Sequence, residues 1–452
     1  MATEQNGRVD WKFMLPLVLG TMMNPLNSTM LTTALTTICN QFARGVGSGA
    51  LLITPLYIAA AVGQPLMGKL ADIYDPKTIN RFGLLLVLVA ALVGIFAPSF
   101  TWLIVSRVLL GLGTSAAYPS AMALVARKYG NSNRAIPGNI MGIITVAGQG
   151  TLVFGPLLGG FVTELFGWQG VFLINVPWVL AALFFSKNIS PLKKKQSGRR
   201  ISVFKKTDVP GILFFTAFLI VLLIALTQQA DRWLYFSASA VFFIFFIAWE
   251  RKQLYPFIDI KLLWLKPSLL LVYIRTLGTN YILYLLLYAL PQWIEAAKMM
   301  SPSQTGLIML PMSLMSALSS MIVSSKIKSV SLLNTLGIIS LVLACSCLFL
   351  LDHHAAVSWI TCINMLVGLS IGINIIANQA SLSVEVPADK TGVSFGLYRT
   401  FGYLGAIVSG TQLKAAFHSG VTDSGLHSCG WYATACCALL TLLYVIRWNP
   451  KN

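Results

Sequence analysis

The stretch Lys187–Asp208, KNISPLKKKQSGRRISVFKKTD, decides how the rest of this 452-residue chain is read. It carries eight basic residues and is the longest hydrophilic run in a sequence that is 56% hydrophobic and 10% charged. Six apolar runs precede it, beginning near Lys12, Ala50, Ile79, Thr101, Ala135 and Gln169. Eight follow, beginning near Val209, Trp233, Ser268, Gln304, Ser331, Val357, Gly392 and Gly430. A helix crosses a bilayer in about 20 apolar residues, so these runs predict an all-α polytopic membrane protein with fourteen transmembrane helices. The expected layout is a tail over 1–11, a six-helix bundle over 12–186 and the basic linker over 187–208. Two extra spans over 209–250, a connector over 251–267, a second six-helix bundle over 268–447 and a tail over 448–452 complete it.

Charge assigns the sides. Of the 32 basic residues, 25 fall on the side that holds the linker and both termini, and four (Arg44, Arg232, Lys298, Lys414) fall on the other. Loops rich in Lys and Arg stay in the cytoplasm, so both termini are expected there, in a bacterial inner (plasma) membrane. The remaining three, Arg107, Arg275 and Arg399, lie inside apolar runs, where a charge costs about 2.5–3.5 kcal/mol or more.

A mean hydropathy of +0.76 leaves too few polar side chains to cover a soluble surface. The net charge of +18 therefore reads as a topology signal and a contact zone for a bilayer with anionic lipids. Nucleic acid is not an expected partner, because no basic patch sits on a soluble fold. The seven cysteines form no CxxC pair, and Cys345, Cys347, Cys362, Cys436 and Cys437 lie in apolar runs as small packing residues. No metal site or cofactor is expected. Cys39 and Cys429 fall near the outer face, where pairing stays open. MATEQNGRVDWK at the start leads into an apolar run too long for a signal-peptide core, so a retained cytoplasmic tail is expected.

Several motifs carry chemistry of their own. Between the second and third runs stands Gly68-Lys69-Leu70-Ala71-Asp72-Ile73-Tyr74-Asp75-Pro76-Lys77, with Arg81 beyond it. Gly68 permits close helix approach, and Asp72 is an acid among bases. The fifth run holds Gly155-Pro156-Leu157-Leu158-Gly159-Gly160, and the fourth has Arg107 followed by Gly111 and Gly113. Further along come FGWQGVFLINVP (Phe166–Pro177), ERKQLYPFIDIKLL from Glu250, Leu290-Pro291-Gln292-Trp293, and Tyr398-Arg399-Thr400-Phe401-Gly402. Small residues four apart let helices pack tightly in lipid, and a proline removes a backbone donor.

Together these runs resemble the major facilitator superfamily, and in particular its fourteen-span drug–proton antiporter branch, over about residues 12 to 447. The resemblance implies two six-helix bundles with a substrate path near the midplane, export of small organic compounds by alternating access, and proton coupling. It implies gating roles for Gly68, Asp72, Lys77, Arg81, Gly155, Pro156 and Gly159. Asp72 would latch onto the start of the helix near Thr391 and Gly392. Two departures stand out. Asp75-Pro76 replaces the family's usual Gly-Arg, with Lys77 as a substitute base. The aspartate that the branch carries in its first span is Asn27 here, which cannot titrate.

The other acids and the four histidines all fall toward one face or the other, Glu164 being the best remaining coupling candidate. Proton coupling needs a buried group that titrates, so its carrier is missing from the centre. The interior is cationic and amide-rich instead: Asn24, Asn27, Gln64, Arg107, Gln149, Arg275, Asn280, Tyr281, Asn374, Asn378 and Arg399 form the candidate substrate path. Guanidinium groups match carboxylates and phosphates, so an acidic substrate is one expectation. Against it, arginines about 10 Å from a span end can snorkel to water. Tyr281, Tyr284 and Tyr288 recur at helical spacing, as a stacking stripe or a packing face. Two transport readings stay open: an exporter, expected as a monomer acting on small molecules, or an importer or uniporter of an organic anion such as a polycarboxylate or siderophore. An intramembrane enzyme is not expected, since the interior offers no acid or histidine to act with a nucleophile.

Overall fold

The computed structural model describes residues 9–44, 50–130, 136–189, 207–227, 231–300, 302–327, 329–418 and 420–447. Most of the basic linker, residues 1–8 of the N-terminal tail and the whole C-terminal tail over 448–452 lie outside them. In hydrocarbon no water is available to the backbone, so apolar sequence of this length closes its hydrogen bonds within helices, and no strand occurs among the described residues. The order is α1 (Trp11–Gln41), α2 (Ala50–Ile73), α3 (Pro76–Ile95), α4 (Phe100–Ser115), α5 (Ala117–Tyr129), α6 (Gly138–Phe166), α7 (Gly170–Leu173) and α8 (Asn175–Phe185). Past the linker come α9 (Val209–Thr227), α10 (Arg232–Glu250), α11 (Ile260–Leu265), α12 (Pro267–Lys298), α13 (Pro302–Lys326), α14 (Val330–Cys347), α15 (Val357–Glu385), α16 (Thr391–Ala416) and α17 (Asp423–Arg447).

The ends follow local chemistry. Asp10 caps α1 by accepting from the Phe13 amide at 3.2 Å, and Pro76 opens α3, where its missing N–H is no loss. Gly167, at φ +67°, ends α6 in a backbone conformation that suits glycine. The last helix starts at Asp423, seven residues before the Gly430 that hydropathy suggests. Its polar first turns are fixed by packing: Asp423 accepts from Trp293 Nε1 at 2.7 Å and from the His353 amide at 3.0 Å.

Among the described residues, eleven helices are long and apolar enough to cross a membrane. The α4–α5 and α7–α8 pairs each count as one of these, Phe100–Tyr129 and Gly170–Asn188. Three long helices are not among the eleven: α1 with 31 residues, α16 with 26, and α6 with 29, which is interrupted by side chains outside the described residues and counted as the shorter apolar pieces Gly138–Gly148 and Leu157–Phe166. For α1 the reason is visible, since Thr21, Asn24, Asn27 and Ser28 lower its hydropathy while their side chains are buried against protein rather than lipid.

By contact density the chain divides into two compact units. The first comprises Met1–Ile140, Thr151–Lys266 and Val386–Thr400. Its core gathers Leu26, Met30, Leu52, Phe100, Leu103, Trp168 and Phe172. Within it α9 and α10 form a hairpin zipped by aromatic pairs, Phe215 on Phe246 at 5.4 Å and Phe218 on Phe243 at 4.9 Å. Trp233, Leu234 and Ile244 stand exposed on α10, a face suited to lipid. The second unit comprises Met141–Gly150, Pro267–Glu385 and Phe401–Asn452, and its core includes Tyr281, Leu285, Trp293, Ile363, Val367 and Leu426. There Cys345 and Cys437 lie 3.5 Å apart as free thiols. Cys362 is exposed and not a packing residue, and Cys39 and Cys429 are each buried and free.

Candidate functional site

An amide placed alone in an apolar helix needs a partner, because burying an unmade hydrogen bond costs about 1–3 kcal/mol. In the first unit α1 meets this need with two such contacts. Asn24 donates to Thr114 Oγ1 of α4 at 2.9 Å. Asn27, only 1% exposed, exchanges hydrogen bonds with Asn175 of α8 at 2.6 and 2.8 Å. Arg107 of α4 lies beside them, 1% exposed, its Nε donating to the Leu52 carbonyl at 3.0 Å and its Nη2 to the Asn27 carbonyl at 3.2 Å. Its Nη1 has no hydrogen-bond partner among the described residues. The guanidinium is therefore held by backbone oxygens, deep in the unit, and does not snorkel.

Glycines bring α6 onto the same helix. A Cβ at Gly159 would stand 2.5 Å from the Met30 carbonyl and 2.7 Å from Thr33 Oγ1, so no larger residue fits that approach. The side chains of Gln149 and Pro156 lie outside the described residues.

Gln64 of α2 is 1% exposed, with an oxygen that accepts no hydrogen bond among the described residues. Close by, the Thr400 hydroxyl of α16 donates to the Ala61 carbonyl at 2.7 Å. On the same stretch of α16, Arg399 lies over the Tyr118 ring at 4.9 Å, and Tyr398 stacks on that ring at 6.5 Å. Gln64, Tyr118, Tyr398 and Arg399 thus come from α2, α5 and α16 into one polar, aromatic neighbourhood.

At the end of the bundle that carries the α2–α3 turn, Asp72 accepts from the Gly392 amide at 2.7 Å and the Val393 amide at 2.8 Å. These are first-turn amides of α16, the positive end of its dipole. The contact requires Gly68, since a Cβ there would meet the carbonyl carbon of Gly392 at 2.5 Å. Lys77 and Arg81 do not join Asp72. Lys77 donates to the Ile189 carbonyl, and Arg81 Nε donates to Ser186 Oγ at 2.9 Å, so both close the end of α8. The bases whose charges act on Asp72 are Arg127 and Lys69. Lys69 donates to the Pro256 carbonyl at 2.6 Å.

A second clasp sits nearby. Asp259 caps α11 through the Leu262 amide at 2.9 Å and pairs with Lys390, just ahead of α16. Burial pushes its carboxyl toward a higher pKa, but the hydrogen bonds from Lys390 and Leu262 outweigh that and hold it below the usual aspartate range.

The second unit has its own polar line. Arg275 Nη2 donates to Asn334 Oδ1 at 2.5 Å, and Asn334 Nδ2 donates to Ser381 Oγ at 3.1 Å. Asn374 donates to the Gly337 carbonyl at 2.8 Å, and Asn378 to Thr279 Oγ1 at 3.0 Å. Asn280 turns back onto the Thr276 carbonyl at 2.8 Å. Tyr281 packs in the apolar core of this unit. Sequence reading missed Asn175, Asn334 and Tyr118. The first two are amides inside apolar runs, which alone signals a partner; nothing in the sequence singles out Tyr118.

The sequence profile of the Major Facilitator Superfamily matches residues 17–410. Over 414 residues the chain is 30% identical to the MFS-type transporter YwoD of Bacillus subtilis, with 91% of each chain covered. It is 27% identical to Multidrug resistance protein 3 of Bacillus subtilis, over 91% of this chain and 81% of that one. To the multidrug efflux pump LfrA of Mycolicibacterium smegmatis it is 24% identical, over 90% of this chain and 81% of that one. Its fold is similar to the crystal structure of the human organic anion transporter MFSD10, with a TM-score of 0.68, 16% identity and 96% and 98% of the two chains covered. With the profile running from α1 into α16 and relatives aligned along nearly the whole length, this chain belongs to the Major Facilitator Superfamily.

Proposed function

We propose that this transporter exports small organic compounds across a bacterial plasma membrane by alternating access, with fourteen spans and both termini in the cytoplasm. The observation that carries the reading is the Asp72 contact on the first turn of α16. It ties a helix of the first six to a helix of the last six in sequence, through two hydrogen bonds that solvent can replace. A carboxylate at a helix N-terminus contributes about 0.3–1 kcal/mol, up to about 2 when partly buried. Two transport states separated by a few kcal/mol are biased by a contact of that size and are not locked by it. Relatives named for multidrug resistance and multidrug efflux support the direction and the substrate class.

Arg399, set against the Tyr118 ring, is the residue we assign to an acidic group on the substrate. Coupling to protons, if this chain follows its branch, does not use the first span, where Asn27 is committed to Asn175.

The test is dye accumulation by inverted vesicles, using cationic, neutral and anionic organic dyes, with and without an imposed pH gradient. Removing about 1–2 kcal/mol from the latch shifts the balance of states roughly 5–30-fold, so Asp72→Asn should slow transport several-fold. Gly68→Val should slow it further, by holding the helices apart. Unaltered transport in both variants at equal protein level would exclude the latch, and accumulation only in right-side-out vesicles would reverse the direction.

A further inference from the structure

Asp208 and Glu250 mark the two ends of the α9–α10 hairpin, and the fold brings their carboxyl groups together. Asp208 is 5% exposed and Glu250 2% exposed. Both face the bare backbone of Gly211, where a Cβ would stand 2.5 Å from Glu250 Oε1 and 2.6 Å from Asp208 Oδ2. Asp208 accepts from three donors: the Trp249 Nε1 at 2.8 Å, the Phe257 amide at 3.0 Å and the Gly211 amide at 3.2 Å. Neither oxygen of Glu250 receives a hydrogen bond of normal geometry from a described residue. The Ile258 amide approaches it, and the Lys69 charge acts on it.

Hydrogen-bond polarity then places the proton. Three donors converge on the Asp208 oxygens, which act there only as acceptors. An ionised Glu250 would place a buried negative charge beside the Asp208 oxygens, with neither of its own oxygens receiving a hydrogen bond of normal geometry, which a buried charge does not tolerate. One proton resolves both problems, because protonated Glu250 has an O–H to donate to Asp208. No group of three or more metal-binding side chains occurs among the described residues, so two carboxyls and a proton suit the site better than a metal ion.

We propose that the Asp208–Glu250 pair is a proton-binding site, holding one dissociable proton on Glu250 at the foot of the α9–α10 hairpin. Its charged surroundings are Lys69 from α2, which interacts with both carboxyls, and beyond Lys69 the groups Asp72 and Lys390. Lys69 is three residues from Asp72 on the same helix, so the pair stands beside the α16 latch. Release of the proton to water adds one negative charge next to Lys69 and changes the field at that contact. In a chain whose first span has Asn27 where its branch has an acid, this is a titratable site on an element the branch adds to the twelve-helix plan.

The site does not rest on the export reading, and its test needs no substrate. Infrared difference spectra of the purified protein in lipid at neutral pH should show a protonated-carboxyl C=O band that Glu250→Gln removes. Asp208→Asn should keep the band and move its frequency, because the acceptor of the Glu250 proton has changed. If Glu250→Gln does not fold, the Asp208→Asn spectrum reads the same proton. A wild-type spectrum with no band sensitive to either substitution would overturn the proposal.

Discussion

Asn27 shows what one atom decides in this interior. Its Nδ2 donates to both Asn175 Oδ1 and the Met23 carbonyl, at 2.6 and 2.9 Å. Asn27→Asp replaces that donor with an acceptor facing two acceptors. The expected cost is about 1–3 kcal/mol, seen as a lower thermal midpoint in detergent, and Asn175→Asp in the same chain should not recover it. A midpoint at or above wild type for Asn27→Asp would mean that the position already suits a carboxylate. The sequence made this position conspicuous, since an amide in an apolar run is costly. It could not name Asn175, because the two are 148 residues apart and nothing in their local patterns links them. Arg107 is similar: a cation inside a span was plain from the sequence, whereas the two backbone carbonyls that hold it are visible only in three dimensions.

Among the elements, the short α11 earns its place through Asp259, which caps it and pairs with Lys390 ahead of α16. Because the folded carboxyl is held below its usual range, the folded state favours the ionised form. The stability this gives is fully present above the ordinary aspartate value of about 3.9 and is lost as pH falls through the lower folded value. Asp259→Asn should therefore melt below wild type at neutral pH, and the gap should close in acid. Both partners are partly exposed, so high salt should also narrow it. A gap that is constant with pH would assign the effect to lost capping alone. Helix starts were legible to within a few residues for most elements because hydropathy and capping set them. The α17 start was not, since its first turns are polar and are fixed by Trp293 and His353 rather than by hydropathy.

For the whole molecule, the difference between eleven and fourteen crossings is a difference of parity. The eleven apolar helices put four crossings before the linker and seven after it. On that count the linker and the C-terminal tail face opposite sides of the membrane. Adding α1 and α6 before the linker and α16 after it makes six and eight, and the linker and both tails then share a side. Three features favour the larger count. Each added helix has 26 residues or more, beyond the about 20 a bilayer needs. The polar side chains that lower the hydropathy of α1 are buried in its own unit. The 25 basic residues gather on one side only if all fourteen cross. Single cysteines at Ser197 in the linker and at Asn452, in a chain stripped of its native thiols, separate the two counts. A membrane-impermeant maleimide should label both in inverted vesicles and neither in intact cells. Labelling of Asn452→Cys from outside, with Ser197→Cys still protected, would remove an odd number of crossings after the linker, and α16 would be the first to lose its place in the membrane.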